Sequence, residues 1–161
     1  MGAQDEATFG LIPLIKRGWA RRGSHPFVKI NHANVCTNVF GARSSKSFVY
    51  SFSKKKRQRE FIIFLEKLQK RWGRFLLFVD NAKAHKGAKV RAYLQKHKKT
   101  IKLDYFPKCT PEENPTEQCW KPARSALANR VVPSLNAAKY HLRKTFDNKK
   151  ELPKMFQYLR D

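Results

Sequence analysis

An apolar run that stops on a carboxylate does most to fix what this chain can fold into. Phe75-Leu76-Leu77-Phe78-Val79 is continuous rather than alternating, and it ends at Asp80-Asn81. Short continuous apolar runs belong to strands covered on both faces, the state of a parallel strand in an α/β sheet. Such sheets present their ligand chemistry outside the carboxyl ends of the strands. Asp80 stands at that position. An Asp ahead of a helical segment also reads as an N-cap, and the residue by itself leaves both readings open.

The flanking pattern extends the strand into a fold. Phe61, Phe64, Leu65, Leu68 and Trp72 recur at the spacing of an amphipathic helix over 56–72. Ala88 to Gln95 predicts a second helix, with Val90 and Leu94 one turn apart, and Ile101 to Phe106 predicts a strand stopped by Pro107. Ahead of them, Phe27–Ile30, Asn34–Gly41 and Ser47–Phe52 read as strands of an antiparallel meander. Residues 1–9 read as short and mixed, and 10–26, with Pro13, Gly18, Gly23 and Pro26, as irregular. A turn-rich stretch from Pro107 to Pro115 leads to helices over 115–129, 134–146 and 151–159, with Ser134 and Asp147 as caps. The expected class is α/β: an antiparallel meander followed by parallel strands, one mixed sheet flanked by helices. At 161 residues this is a single domain. Its core covers about 1–130, and its C-terminal helices, about 134–160, are expected to pack on that core.

Charge narrows the partner. Lys plus Arg number 35 against 12 Asp plus Glu, a formal net charge of +23. A surplus of that size repels itself and calls for an anionic partner, with nucleic acid first because each phosphate contact releases counterions. Lys54-Lys55-Lys56-Arg57 and Lys96-His97-Lys98-Lys99 are basic clusters that serve as solvated faces or phosphate contacts. Lys83 and Lys86, beside His85, are counted with the phosphate contacts. Trp19, with Arg21 and Arg22 in a Gly-flanked loop, is placed to stack on a base or sugar, while Trp72 and Trp120 read as core. No run reaches the roughly 18 apolar residues of a membrane helix, so no membrane partner is expected. Cys36, Cys109 and Cys119 lack metal-site spacing and read as reduced thiols of a cytoplasmic protein.

The acidic residues are few enough to weigh one by one. Glu117 follows the Asn114-Pro115 turn in the first turn of a helix, and Asp5 lies near the N-terminus. With Asp80 they have the composition of a two-metal phosphoryl-transfer site, where ions roughly 4 Å apart hold the attacking and leaving oxygens. Hard cations such as Mg²⁺ need few carboxylates because they keep several waters. Each candidate has an ordinary alternative. First-turn Glu residues are commonplace for dipole reasons. Glu6 rivals Asp5, and strand alternation points the two to opposite faces. Glu112, Glu113 and Asp104 are weaker rivals. Asn81 either holds the Asp80 carboxylate or caps a helix. His85 orients a phosphate, donates a proton or packs against the site.

The order of these residues resembles the catalytic domain of insertion-sequence transposases of the mariner superfamily. The resemblance rests on Gln4-Asp5-Glu6, the Gly18–Gly23 loop around Trp19, Phe78-Val79-Asp80-Asn81-Ala82-Lys83-Ala84-His85, Leu103–Pro107 and Pro111–Trp120, and spans residues 4 to about 127. It implies a ribonuclease H-like fold and an Asp-Asp-Glu triad of Asp5, Asp80 and Glu117. It further implies two Mg²⁺ or Mn²⁺ ions, cleavage and strand transfer at element ends and target DNA, a homodimer, and a prokaryotic, nucleoid-associated setting. Only four residues precede Asp5, so the N-terminal helix-turn-helix module of such transposases is expected to be absent. A ribonuclease H-like nuclease and a non-catalytic basic nucleic-acid-binding remnant are the alternatives.

Overall fold

The computed structural model describes residues 1–12, 14–29, 31–107, 114–148 and 150. Strands β1 (Gly2–Gly10), β2 (Cys36–Ser44), β3 (Phe48–Ser53), β4 (Phe75–Val79) and β5 (Ile101–Tyr105) form one sheet in the order β3-β2-β1-β4-β5. The first three are an antiparallel meander; β1–β4 and β4–β5 pair in parallel. The mixed ribonuclease H-like sheet is therefore the expected one, with one strand reassigned.

The reassignment concerns the start. Of the strand expected over Phe27–Ile30, the described residues Phe27, Val28 and Lys29 are irregular, and Phe27 is exposed. The first strand is β1, which pairs with β2 over its whole length, from Gly2↔Ser44 to Gly10↔Cys36. Its beginning looks unlike a strand because it is small, and it is small because of a close approach. A Cβ on Gly2 would lie 2.8 Å from the Trp72 ring. Long-range pairing, which no local pattern displays, decides the strand.

Helices α1 (Gln58–Trp72) and α2 (Ala88–Lys96) cover one face of the sheet; α3 (Pro115–Leu127) and α4 (Leu135–Asp147) cover the other. On the first face Phe61, Phe64, Leu65 and Leu68 of α1 meet Phe40, Leu77, Val79 and Ile101. This is the apolar stripe expected from the spacing. On the second, Trp120, Ala123, Leu127, Ala138, Leu142 and Phe146 meet Ala7, Phe9 and Val39. Ala7 and Phe9 share one side of β1, as period-two alternation requires. Ser134 caps α4, accepting the Ala137 N–H at 3.2 Å. Asp147 instead closes α4 and accepts a bond from the Tyr50 hydroxyl at 3.0 Å. The helix expected over 151–159, together with Cys109, Glu112 and Glu113, lies outside the described residues.

Candidate active site

Asp5 sits in the middle of β1 on the α3 side. Its register partner is Gly41, and a Cβ there would come within 2.5 Å of the Trp120 ring. The bare backbone lets the indole lie on the sheet and donate from Nε1 to Asp5 Oδ2 at 2.7 Å. Burial pushes the Asp5 carboxyl up to about 6; the Trp120 and backbone bonds oppose this, while the charges of Glu117 and Glu6 add to it.

The Asn-Pro-x-Glu stretch works as a tether. Asn114 caps α3 by accepting the Thr116 N–H at 3.1 Å, and Pro115 fills the first helical position, where no donor is needed. The Asn114 amide also donates to the Gln4 carbonyl at 3.2 Å, and the buried Thr116 hydroxyl to the Ala3 carbonyl at 2.8 Å. The first turn of α3, carrying the exposed Glu117, is thereby fastened to the residues just before Asp5.

Asp80 follows β4 directly. Ala3 and Phe78 are the last paired residues of β1 and β4, and Asp5 and Asp80 each lie two residues further along. The side chain of Asp80 is 51% exposed. Its Oδ1 accepts the Ala82 N–H at 2.9 Å and meets His85 Nδ1 at 2.8 Å. The first bond is a local Asx turn. The N-cap reading fails: the 3-10 turn Lys83–His85 is preceded by Ala82 and α2 by Gly87, neither with a side-chain cap. Asn81 does not hold the Asp80 carboxylate or cap a helix; it donates to the Phe106 carbonyl at 2.8 Å and accepts from Lys86.

His85 is 1% exposed, tilted against Phe61 with ring centroids 4.3 Å apart. Its Nε2 meets Glu6 Oε1 at 2.8 Å while Nδ1 meets Asp80. Burial pulls its pKa down, but the two carboxylates win and raise it to about 9. The same bond to His85 holds the Asp80 carboxyl below its ordinary value, against a smaller effect of burial. Of the uses open to His85, phosphate contact and proton donation to solvent need a free ring nitrogen, and both are taken. Asp5 and Glu6 point to opposite faces as expected, yet both reach the same neighbourhood, Glu6 through His85.

The structure thus brings Asp5 and Glu117 into electrostatic contact and joins Asp80 to Glu6 through His85. Among the described residues, no three His, Cys, Asp or Glu side chains are grouped closely enough to ligate one ion as they stand. The donor set still fits a hard divalent cation: it is all carboxylate, and the ionised form of Asp5 is penalised by burial and by Glu117, a penalty that a cation relieves. Asp104 is exposed and, among the described residues, accepts the backbone N–H of Tyr105. Trp120, Thr116, Asn114 and Gly41 were not singled out as site residues by sequence. The Asn-Pro-x-Glu-x-x-Trp spacing was the available signal, since it puts Trp120 one helical turn beyond Glu117.

The basic residues divide into two groups. Lys56, in the exposed 54–57 cluster, contributes to the field at Asp80, and Lys86 lies over the Tyr105 ring at 4.5 Å while bonding Asn81. Lys83 is exposed in the same turn as His85. Arg21, Arg22 and the fully exposed Trp19 belong instead to the connection between β1 and β2. This connection is fastened by paired bonds between Lys16 and Asn129, at 2.8 and 2.9 Å, beyond the end of α3 remote from Glu117.

Solved structures share this fold. The chain is 18% identical to that in the Mos1 strand transfer complex, with a TM-score of 0.73 over 93% of this chain and 48% of the other. The Mos1 mariner paired end complex with Mn gives 19% identity and 0.72 over 94% and 49%. The isolated Mos1 mariner transposase catalytic domain gives 17% and 0.66 over 94% and 72%. The chain spans about half the length of the Mos1 chains in those complexes. No curated protein matches it. At this identity the likeness establishes the fold. A family model matches almost the whole chain, over residues 2–150, and its description is DDE superfamily endonuclease. This protein belongs to the DDE superfamily endonuclease family.

Proposed function

We propose that this chain is the catalytic domain of a mariner-type DNA transposase, cutting DNA at element ends and joining the freed 3′ end to target DNA. What supports the reading is how three acidic positions from distant parts of the sequence are held near the β1–β4 pairing. Asp5 and Asp80 each lie two residues past the last β1–β4 pair, and Asn114 and Thr116 fasten the turn of Glu117 to β1. Fold similarity to Mos1 in paired-end and strand-transfer complexes supports it.

Asp5, Asp80 and Glu117 would hold Mg²⁺ or Mn²⁺, as two ions shared among the carboxylates. When bound, such cations neutralise the phosphodiester and sharpen the attacking oxygen as a nucleophile. The chain supplies position. Trp120 fixes Asp5, the α3 tether fixes Glu117, and His85 fixes Asp80. Lys54, Lys55, Lys56, Arg57, Lys83 and Lys86 offset phosphate charge beside Asp80, and Trp19 offers a stacking face flanked by Arg21 and Arg22. The unit acting on DNA would be a homodimer that brings two ends together, in a prokaryotic cytoplasm.

Asp80→Ala is expected to abolish Mg²⁺-dependent nicking and strand transfer on labelled duplex DNA while circular dichroism stays unchanged. Wild-type activity in that variant would reject the assignment. Cleavage of an RNA–DNA hybrid by the wild type, without strand transfer to DNA, would instead assign a ribonuclease H-type enzyme. Salt-sensitive DNA binding with no metal-dependent turnover would assign a binding remnant.

A further inference from the structure

Glu6 has no part in the proposed triad, yet it is more firmly held than an exposed edge carboxylate would be. Its Oε1 receives Nε2 of the buried Gln4 at 3.0 Å and meets His85 Nε2 at 2.8 Å. The other nitrogen of that ring meets Asp80 Oδ1 at 2.8 Å. The ring itself is wedged against Phe61 of α1. The two carboxylates therefore approach one imidazole from opposite edges, and neither can shift without losing a bond that a buried ring cannot replace with water. Asp80 lies beyond the end of its strand, where no ladder bond fixes it.

We propose that Glu6 and His85 are positioning residues that hold the Asp80 carboxylate from the α1 side, leaving its other oxygen for a divalent cation on the α3 side. The inference rests on the reading of Asp80 as a metal ligand. Glu6 acts only through His85 and touches neither metal nor DNA. The adjacent pair Asp5-Glu6 then serves the site from both faces of one strand. Asp5 is a ligand in its own right, and Glu6 fixes the ligand on the next strand. Residues that orient a metal-binding group from behind typically change metal affinity or activity by 10–100-fold when removed.

The test uses the full chain, with Mn²⁺ affinity measured by calorimetry, unfolding by circular dichroism, and Mg²⁺-dependent DNA cleavage in parallel. Glu6→Gln preserves size and is expected to weaken Mn²⁺ binding about tenfold or more with little change in the unfolding midpoint. His85 variants separate the two bonds. His85→Asn can still donate to Asp80 from the position of Nδ1, whereas His85→Gln can donate to Glu6 from that of Nε2. His85→Gln should therefore lose more Mn²⁺ affinity than His85→Asn. The double variant Glu6→Gln/His85→Gln should be no worse than His85→Gln alone, because the two residues act as one unit. If Glu6→Gln does not fold, the His85 pair decides the matter, and equal affinities in the two would overturn the proposal. Wild-type affinity in Glu6→Gln, or additive losses in the double variant, would overturn it while leaving Asp80 as a ligand. A wild type that binds no Mn²⁺ would overturn both this proposal and the reading beneath it.

Discussion

A carboxylate raised to about 6 inside a chain that carries +23 is a local matter, since the excess of cations lies elsewhere. Asp5 is desolvated by Trp120 and its neighbours and feels Glu117, and the one bond from the indole does not offset that cost. The sign of the linkage follows. A carboxyl whose folded pKa exceeds its unfolded value stabilises the fold at low pH. That stability is lost as pH rises through the interval from about 4 to about 6. Asp5→Asn should remove the penalty, because its carbonyl oxygen can still accept the Trp120 N–H. Urea denaturation of the metal-free protein should show the variant more stable by about 1–3 kcal/mol at pH 8 and no more stable at pH 3.5, with DNA cleavage abolished. A variant less stable at pH 8 would show that the indole bond outweighs burial. On the proposed reading, the cost carried by Asp5 is one that a bound cation would relieve.

Among the elements, α3 shows why a motif can be visible before its meaning is. Asn114, Pro115, Thr116, Glu117 and Trp120 are legible as a helix start from sequence: cap, proline, acidic first turn. That the cap amide and the threonine hydroxyl also bond the β1 backbone was not, because those partners are more than a hundred residues away. Gly41 belongs to the same story. Nothing in its neighbourhood marks it, yet a methyl group there would meet Trp120 at 2.5 Å and Phe48 at 2.9 Å. Gly41→Ala is expected to cost about 1–3 kcal/mol and to move the indole off Asp5. Denaturation together with tryptophan fluorescence would check both, and unaltered emission with a wild-type midpoint would contradict the packing.

For the molecule as a whole, the charge is distributed with a purpose that can be measured. The 54–57 cluster stands ahead of α1, close enough for Lys56 to act on Asp80. The arm bearing Trp19 is tied beyond the other end of α3, which at 13 residues is about 20 Å long. A duplex held at the carboxylates and along this span would meet both. Replacing Lys54, Lys55, Lys56 and Arg57 together by Ala should flatten the dependence of DNA affinity on salt, lowering the log–log slope by up to about 3–4. Unchanged slope would remove the cluster from the interface. Trp19→Ala should weaken single-stranded DNA binding by about 1–3 kcal/mol without changing stability, since its side chain is fully exposed. Binding measured by fluorescence anisotropy alongside a melting curve would separate the two effects.

The sequence by itself determined the parts whose information is local. The continuous run of β4 and the stripe of α1 follow from burial periodicity, the start of α3 from its Asn-Pro turn, the start of α4 from the Ser134 cap, and the expectation of an anionic partner from charge. The order of acidic motifs carried the family. What tertiary structure decided is long-range. It chose Gly2–Gly10 over Phe27–Ile30 as the first strand, since β2 pairs with the former and a strand exists only with its neighbour. It also decided what the opposite faces of Asp5 and Glu6 meet: α3 for the one and His85 for the other. A carboxylate's role depends on which atoms surround it, and those atoms come from parts of the chain that only folding brings together.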